Sequence, residues 1–314
     1  MCILFATRSH PNYELILISN RDEFFERDTH NTCWHTNFSI LSPYDMARNK
    51  KTPSGNSETF GTWIGINKSG RIANILNLRP ADTPANKSSK GKVSRGVIPY
   101  TFLKTDSNKD KFSNWDSFEN FEHQYPNLPC SGAFNFFYGD IKSKSYRIID
   151  TFGQTFKVLD QNDNDSFVLS NNIFNIEKSK QWSKTVFGLK KLKDFVNKTK
   201  DESQDSVILE ECFKLASICS VREEIRNHPY HADPAVTYDT IFVPPLGSND
   251  GEDVGLTVTK GDIYGTRSQI VILVSENSKH VTYVEKVLHT SDSDCSTNSA
   301  TNPKDVHEFE FDIE

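Results

Sequence analysis

Apolar and polar positions along this chain alternate in short runs, interrupted by stretches of helical period. Cys2–Thr7 is apolar, Ser9-His10-Pro11-Asn12 has turn chemistry, and Tyr13–Ser19 is a second apolar run, so the chain opens on a hairpin. A second hairpin joins Thr62-Trp63-Ile64-Gly65-Ile66 to Arg71–Leu76 through a turn at Asn67-Lys68-Ser69-Gly70. A third spans Ala133–Gly139 and Ser145–Thr151, Phe167–Ser170 is a short strand, and a last hairpin joins Gln269–Ser275 to His280–Leu288. Residues 97–104 and 113–124 read as helices. Trp182, Val186, Leu189, Leu192, Phe195 and Val196 recur at helical spacing across 181–198. Val207, Leu209, Phe213, Leu215 and Ile218 do the same across 205–218. Residues 80–95, rich in Pro, Ser, Lys and Gly, read as a long loop. Antiparallel hairpins with two helical blocks predict an α+β domain of packed sheets and helices.

Composition narrows the class. With 314 residues the chain is long enough to bury a substantial core, and its 22 Phe supply much of it. No run of about 18 apolar residues occurs, so no transmembrane helix is expected. The apolar start is too short for a secretory signal, and the reading is a cytoplasmic protein. Cysteines 2, 33, 130, 212, 219 and 295 are scattered without metal-ligand spacing, which predicts reduced thiols and no metal site. Residues 290–314 carry seven acids against Lys304 and account for the whole net charge of −6. The body is balanced, so nucleic acid is not an expected partner. The stretch from Thr290 to Pro303 is polar and low in apolar content, so 290–314 is expected to be a disordered acidic tail behind a domain at 1–289. No phosphate-cradling glycine motif follows a strand, which removes nucleotide-binding folds, and no cofactor is expected.

The candidate chemistry starts at Cys2. Initiator methionine is usually removed before a small residue, which leaves a thiol and a free α-amine on one residue. These groups titrate near ~8.5 and ~7.7–8, so the amine can serve as base for the sulfur. The second strand is expected to end in Ser19-Asn20-Arg21-Asp22-Glu23, one hairpin away. There Asp22 could hold the α-ammonium and Arg21 could lower the thiol pKa. Asn77 and Asn171 each follow a strand. They are either turn residues or donors for an oxyanion, the charge that develops in acyl transfer.

Cys2, Asn20-Arg21-Asp22-Glu23, Gly65–Asn77, Ser94-Arg95-Gly96, Phe134-Asn135, Leu169-Ser170-Asn171 and Tyr264-Gly265-Thr266-Arg267 occur in this order. That set resembles the NRDE family, also called the transport and Golgi organization protein 2 family, over roughly residues 2–288. The family in turn resembles cysteine-type N-terminal-nucleophile hydrolases. The resemblance implies an αββα four-layer sandwich, with Cys2 as nucleophile and Asp22 on its amine. It also implies Asn77 and Asn171 at the oxyanion and Arg267 as a late active-site arginine, with Asn20, Arg21, Arg79 and Asn135 contacting substrate. Ser19 stands where those hydrolases carry an arginine, and Arg21 is displaced from that position. Trp182-Ser183-Lys184 lacks the proline expected between Trp and Lys. The resemblance implies either an amidohydrolase or thioesterase, or a binding protein for a small apolar or acyl-containing ligand. It connects the chain with Golgi organisation, secretion, and haem or lipid handling, and with association to Golgi or mitochondria.

Overall fold

The computed structural model describes residues 2–35, 39–46, 61–79, 94–104, 115, 119–120, 131–150, 152–160, 165–177, 180–227, 234–247 and 261–314. Most of the expected loop at 80–95 and of the helix at 113–124 lies outside these residues. Contacts gather into two compact units, where the sequence suggested one domain. Met1–Arg27 with Gln161–Phe311 form the first, and Asp28–Asp160 with Asp312–Glu314 the second. Each is built on a seven-stranded sheet, and the α+β class holds.

The first unit contains β1 (Ile3–Thr7), β2 (Tyr13–Phe24), β10 (Ser166–Leu169), β11 (Leu246–Gly247), β12 (Ile263–Ser275), β13 (His280–Val287) and β14 (Asp305–Asp312). Their order is β10-β1-β2-β12-β13-β14, with β11 on β12. The opening hairpin forms as expected, with Leu4 opposite Ser19, and β1 also pairs antiparallel with β10. One sheet face takes helices α2 (Ser183–Thr199) and α3 (Asp205–Ala216). Ile3, Phe5, Ile16, Ile18, Val271 and Leu273 from the strands close a core with Leu192, Phe195, Ile208 and Cys212 from the helices. Burying these side chains supplies the main favourable free energy, at ~1.5–3 kcal/mol each. Close approach of α2 requires Gly188, since a Cβ there would lie 2.9 Å from Cε1 of Phe5.

The second unit contains β3 (Thr29–His35), β4 (Ile40–Asp45), β5 (Ile64–Asn67), β6 (Arg71–Asn77), β7 (Phe134–Asp140), β8 (Ser145–Ile149) and β9 (Thr155–Val158). They form a meander in chain order, antiparallel throughout. Helix α1 (Val97–Lys104) packs Ile98, Phe102 and Leu103 over Ala73, Phe134, Phe136 and Tyr138.

Strand β2 runs to Phe24, one residue past the Ser19–Glu23 end expected from the sequence, and is buried over its whole length. Its polar end is tolerated because β12 pairs along it and Asn20, Asp22 and Glu23 each bond to nearby groups. The tail is also ordered where it was expected to be disordered. Asp294 accepts from Thr290 N, Thr290 Oγ1, Ser291 N and Lys304 Nζ, at 2.7, 2.9, 3.1 and 2.9 Å. These bonds hold its carboxyl down at about 2 against the opposing effect of burial. Beyond it, β14 joins the sheet edge, where Phe309 meets Tyr283 edge-on. The alternation of aromatic and acidic residues is a strand period that outweighs the acidic composition.

Candidate functional site

Strand registers locate Cys2. On one side Ile3 is opposite Asn20 and Leu4 is opposite Ser19, so continuing by one residue puts Cys2 opposite Arg21. On the other side Leu4 is opposite Leu169, where β10 ends and Ser170 and Asn171 follow. Directly opposite residues share a sheet face, with Cα atoms about 4.5–5.5 Å apart. Cys2 and Arg21 therefore lie side by side, and the Ser170 hydroxyl ties the segment after β10 to them by donating to the Cys2 carbonyl at 2.7 Å. Arg21 and Ser19 are two positions apart on one strand, so they share a face; the displacement of the arginine does not turn it away.

Cys2 is half-buried, and its thiol donates to the Asp22 carbonyl across 3.8 Å. Loss of solvent raises the thiol pKa above its usual value. The amino-terminal charge opposes this, the Asp22 carboxylate adds to the rise, and the bond to Asp22 and the Arg21 guanidinium lower it without reversing it. Arg21 thus acts in the expected direction, but burial decides the net result. Cys212 is raised further by full burial. Cys2, Cys33, Cys212, Cys219 and Cys295 are all free thiols. Among the described residues no cluster of His, Cys, Asp or Glu could hold a metal ion, and no helix is long and apolar enough to cross a membrane.

Asn20 and Asp22 alternate to the helix-bearing face and bind protein groups. Asn20 donates from Nδ2 to the carbonyls of Ala216, at 2.8 Å, and Ile241, at 3.0 Å. It ties the end of α3 and the segment before β11 to β2, so its donors are not available to a substrate. Asp22 accepts from the Thr266 hydroxyl at 2.7 Å, and that hydroxyl accepts from Val243 N at 2.9 Å. The Tyr264 hydroxyl donates to the Asp22 carbonyl at 3.1 Å. This places Asp22 beside Cys2 through its main chain and fixes its carboxylate to β12. Glu23 pairs with Arg27 at 3.5 Å, both buried. Gly265 admits this arrangement, because a Cβ there would lie 3.0 Å from the carbonyl oxygens of Val243 and Pro244.

Arg267 is the extra residue of a β-bulge, since the β2–β12 register shifts between Thr266 and Ser268. The bulge re-aims its guanidinium, which donates from Nε to His289 O at 3.0 Å and from Nη1 to Arg27 O. These two bonds tie three chain segments together. Both acceptors are main-chain oxygens. Asn77, Arg79 and Asn135 belong to the second unit. Asn77 ends β6 opposite Phe134, whereas Asn135 is opposite Leu76, so the two asparagines take opposite faces of their sheet. The contributions of Ser170, Tyr264 and Thr266 were not foreseen. Register arithmetic across the predicted strands would have pointed to Ser170, but the partners of Thr266 depend on a segment with no periodic signal.

A family model described as Transport and Golgi organisation 2 matches residues 1–290. The Saccharomyces cerevisiae protein YGR127W is 46% identical over 322 residues, covering 100% of both chains. The transport and Golgi organization protein 2 homologs of Bos taurus and Homo sapiens are each 26% identical and cover 93% of this chain and 95% of their own. Among solved structures, conjugated bile acid hydrolase from Clostridium perfringens aligns at TM-score 0.42 with 10% identity, covering 98% of this chain and 96% of its own. The Caenorhabditis elegans N-acylethanolamine-hydrolyzing acid amidase ortholog aligns at TM-score 0.39 with 11% identity, covering 71% of this chain and 88% of its own. By the family match along nearly its whole length, this chain belongs to the Transport and Golgi organisation 2 family.

Proposed function

We propose that this protein is a cysteine N-terminal-nucleophile hydrolase acting on amides or thioesters. Once Met1 is removed, the α-amine of Cys2 takes the thiol proton and the sulfur attacks the substrate carbonyl carbon. The leaving amine or thiol departs with that proton, and a thioester to Cys2 remains. Water then attacks the thioester, releases the acid and restores the thiol. Asn171 donates to the carbonyl oxygen as charge develops on it. Asp22 orients the amine of Cys2, and Arg21 offsets part of the burial cost of a thiolate.

The observation that carries this reading is Cys2 at the head of β1 beside Arg21, with Ser170, the neighbour of Asn171, fixing the Cys2 main chain. The test is turnover of N-acyl amides and acyl thioesters by the purified protein and by Cys2→Ala. Hydrolysis that disappears in a folded Cys2→Ala protein supports the reading. Equal hydrolysis by both proteins removes it.

One observation favours a second reading. Cys2 is half-buried, and burial raises its thiol pKa, which disfavours the thiolate. The same residues would then bind a small apolar or acyl-containing ligand without cleaving it, consistent with haem or lipid handling. The family's description, transport and Golgi organisation, supplies the cellular setting for either activity.

A further inference from the structure

Helix α2 and its flanks carry an uneven charge. Residues 180–200 hold seven lysines and no arginine against Asp194 alone, in a chain whose net charge is −6. The helical period sorts these lysines. Leu192, Phe195 and Val196 face the core of the first unit, and Lys184 is buried with its ammonium over the Trp182 ring. Val186, Lys190, Lys193, Asn197 and Lys200 recur at helical spacing on the opposite side, and all five are exposed. Val186, at 55% exposure, heads this outward stripe. Three of the other lysines are engaged. Lys180 pairs with Glu177 at 3.2 Å, Lys198 pairs with Glu211 at 2.5 Å, and Lys191 lies over the Phe187 ring at 5.4 Å. On α3 the exposed Lys214 is likewise matched by Glu210 and Glu211. Among the described residues no acid pairs with Lys190, Lys193 or Lys200.

We propose that the outward stripe of α2 is a docking surface for an anionic lipid membrane, with Lys190, Lys193 and Lys200 on the headgroups and Val186 at the acyl boundary. From Val186 to Lys200 the stripe runs about 21 Å, so a helix lying flat brings all three ammonium groups to one surface at once. Lysine stems are long enough to reach headgroups while an aliphatic neighbour dips below them. A partner that grips the apolar face of a helix is excluded, because that face already closes the core. The stripe offers neither arginine for base edges nor an aromatic ring for stacking, which sets a membrane ahead of a nucleic acid.

Flotation of the full chain with phospholipid vesicles tests this. The chain should bind vesicles containing about 30% phosphatidylserine and should not bind phosphatidylcholine alone. Each lysine at an anionic surface is worth about fivefold in partitioning, so Lys190→Gln, Lys193→Gln and Lys200→Gln together should weaken binding about a hundredfold. Lys142→Gln, Lys157→Gln and Lys279→Gln remove the same charge from exposed positions elsewhere, and together they should change binding by less than about threefold. Val186→Trp should bind more tightly and add fluorescence that shifts to the blue on anionic vesicles. Absence of binding to the anionic vesicles overturns the proposal, whether or not the chain retains duplex DNA. Equal losses in the two triple variants overturn the assignment to α2. Tryptophan emission at 186 that does not shift on bound vesicles overturns the placement of Val186.

Discussion

Replacing Asn20 by alanine separates a structural role for the first residue of the Asn20-Arg21-Asp22-Glu23 motif from a role in substrate contact. Asn20 is 1% exposed and its Nδ2 serves two carbonyls, Ala216 O and Ile241 O. Asn20→Ala leaves both without that donor in a region closed to water. A buried acceptor that loses its partner costs about 1–3 kcal/mol, so the two together cost about 2–6 kcal/mol. Part of this is returned, because Oδ1 of Asn20 makes no hydrogen bond and its own desolvation is relieved. The net expectation is a loss of about 3 kcal/mol. Asn20→Asp should lose more, since it sets a carboxylate oxygen against two carbonyl oxygens. Urea unfolding followed by far-ultraviolet circular dichroism measures both, with midpoints shifted at unchanged slope. Any acyl-transfer activity should keep its KM in the folded fraction. A loss below about 1 kcal/mol for both variants would refute the reasoning, because the carbonyls would then have to be reached by water.

Further outcomes follow from the same geometry. Gly188→Val should destabilise by about 2 kcal/mol in urea unfolding, because overpacking against Phe5 outweighs the gain in helix propensity. His289 is buried against Phe25, and burial lowers its pKa from 6.5 to about 4, with Asp294 opposing and Arg267 and Lys304 assisting. The unfolded histidine takes its proton near pH 6.5 and the folded one only near pH 4, so its contribution is intact above 6.5 and is lost as pH falls through that window. His289→Phe should therefore lose about 2 kcal/mol less than the parent between about pH 7 and pH 5, measured by urea midpoints. The Cys2 thiol is raised, so its alkylation by iodoacetamide should be slow at neutral pH and climb in the alkaline range. A preparation that starts at Cys2 should react faster than one retaining Met1, because the ammonium then sits on the same residue as the sulfur.

The parts of the fold that were legible in the sequence are those with a clean period. The opening hairpin, the Asn67–Gly70 turn, α1, α2 and α3 appear within a residue or two of their expected bounds. Strand β3 was not legible, because Thr29–His35 is polar and mostly half-buried and carries no alternation. The burial of the polar end of β2 was hidden for a different reason. Asn20, Asp22 and Glu23 look like a turn, yet Ala216, Ile241, Thr266 and Arg27 satisfy them, and none of those partners is near in sequence. For the same reason Arg267 could be matched by motif but not by role, since its function in the fold is set by a bulge that only the register reveals. The placement of Cys2 beside Arg21 was within reach, because the β1–β2 pairing fixes it by counting. The ordered tail shows composition giving the wrong answer where an alternating pattern and one well-bonded acid, Asp294, decide the outcome.

The central claim is that Cys2 is an N-terminal nucleophile, and trapping the acyl group tests it most directly. Protein from its native host, incubated with a p-nitrophenyl acyl ester, is digested and its N-terminal peptide is analysed by tandem mass spectrometry. The account predicts that the peptide begins at Cys2 and carries the acyl group on that residue, either on sulfur or after transfer to the adjacent amine. Cys33, Cys219 and Cys295 should remain unlabelled. A peptide that retains Met1 in nearly all molecules, or one that starts at Cys2 and stays unlabelled while other thiols react, would contradict it.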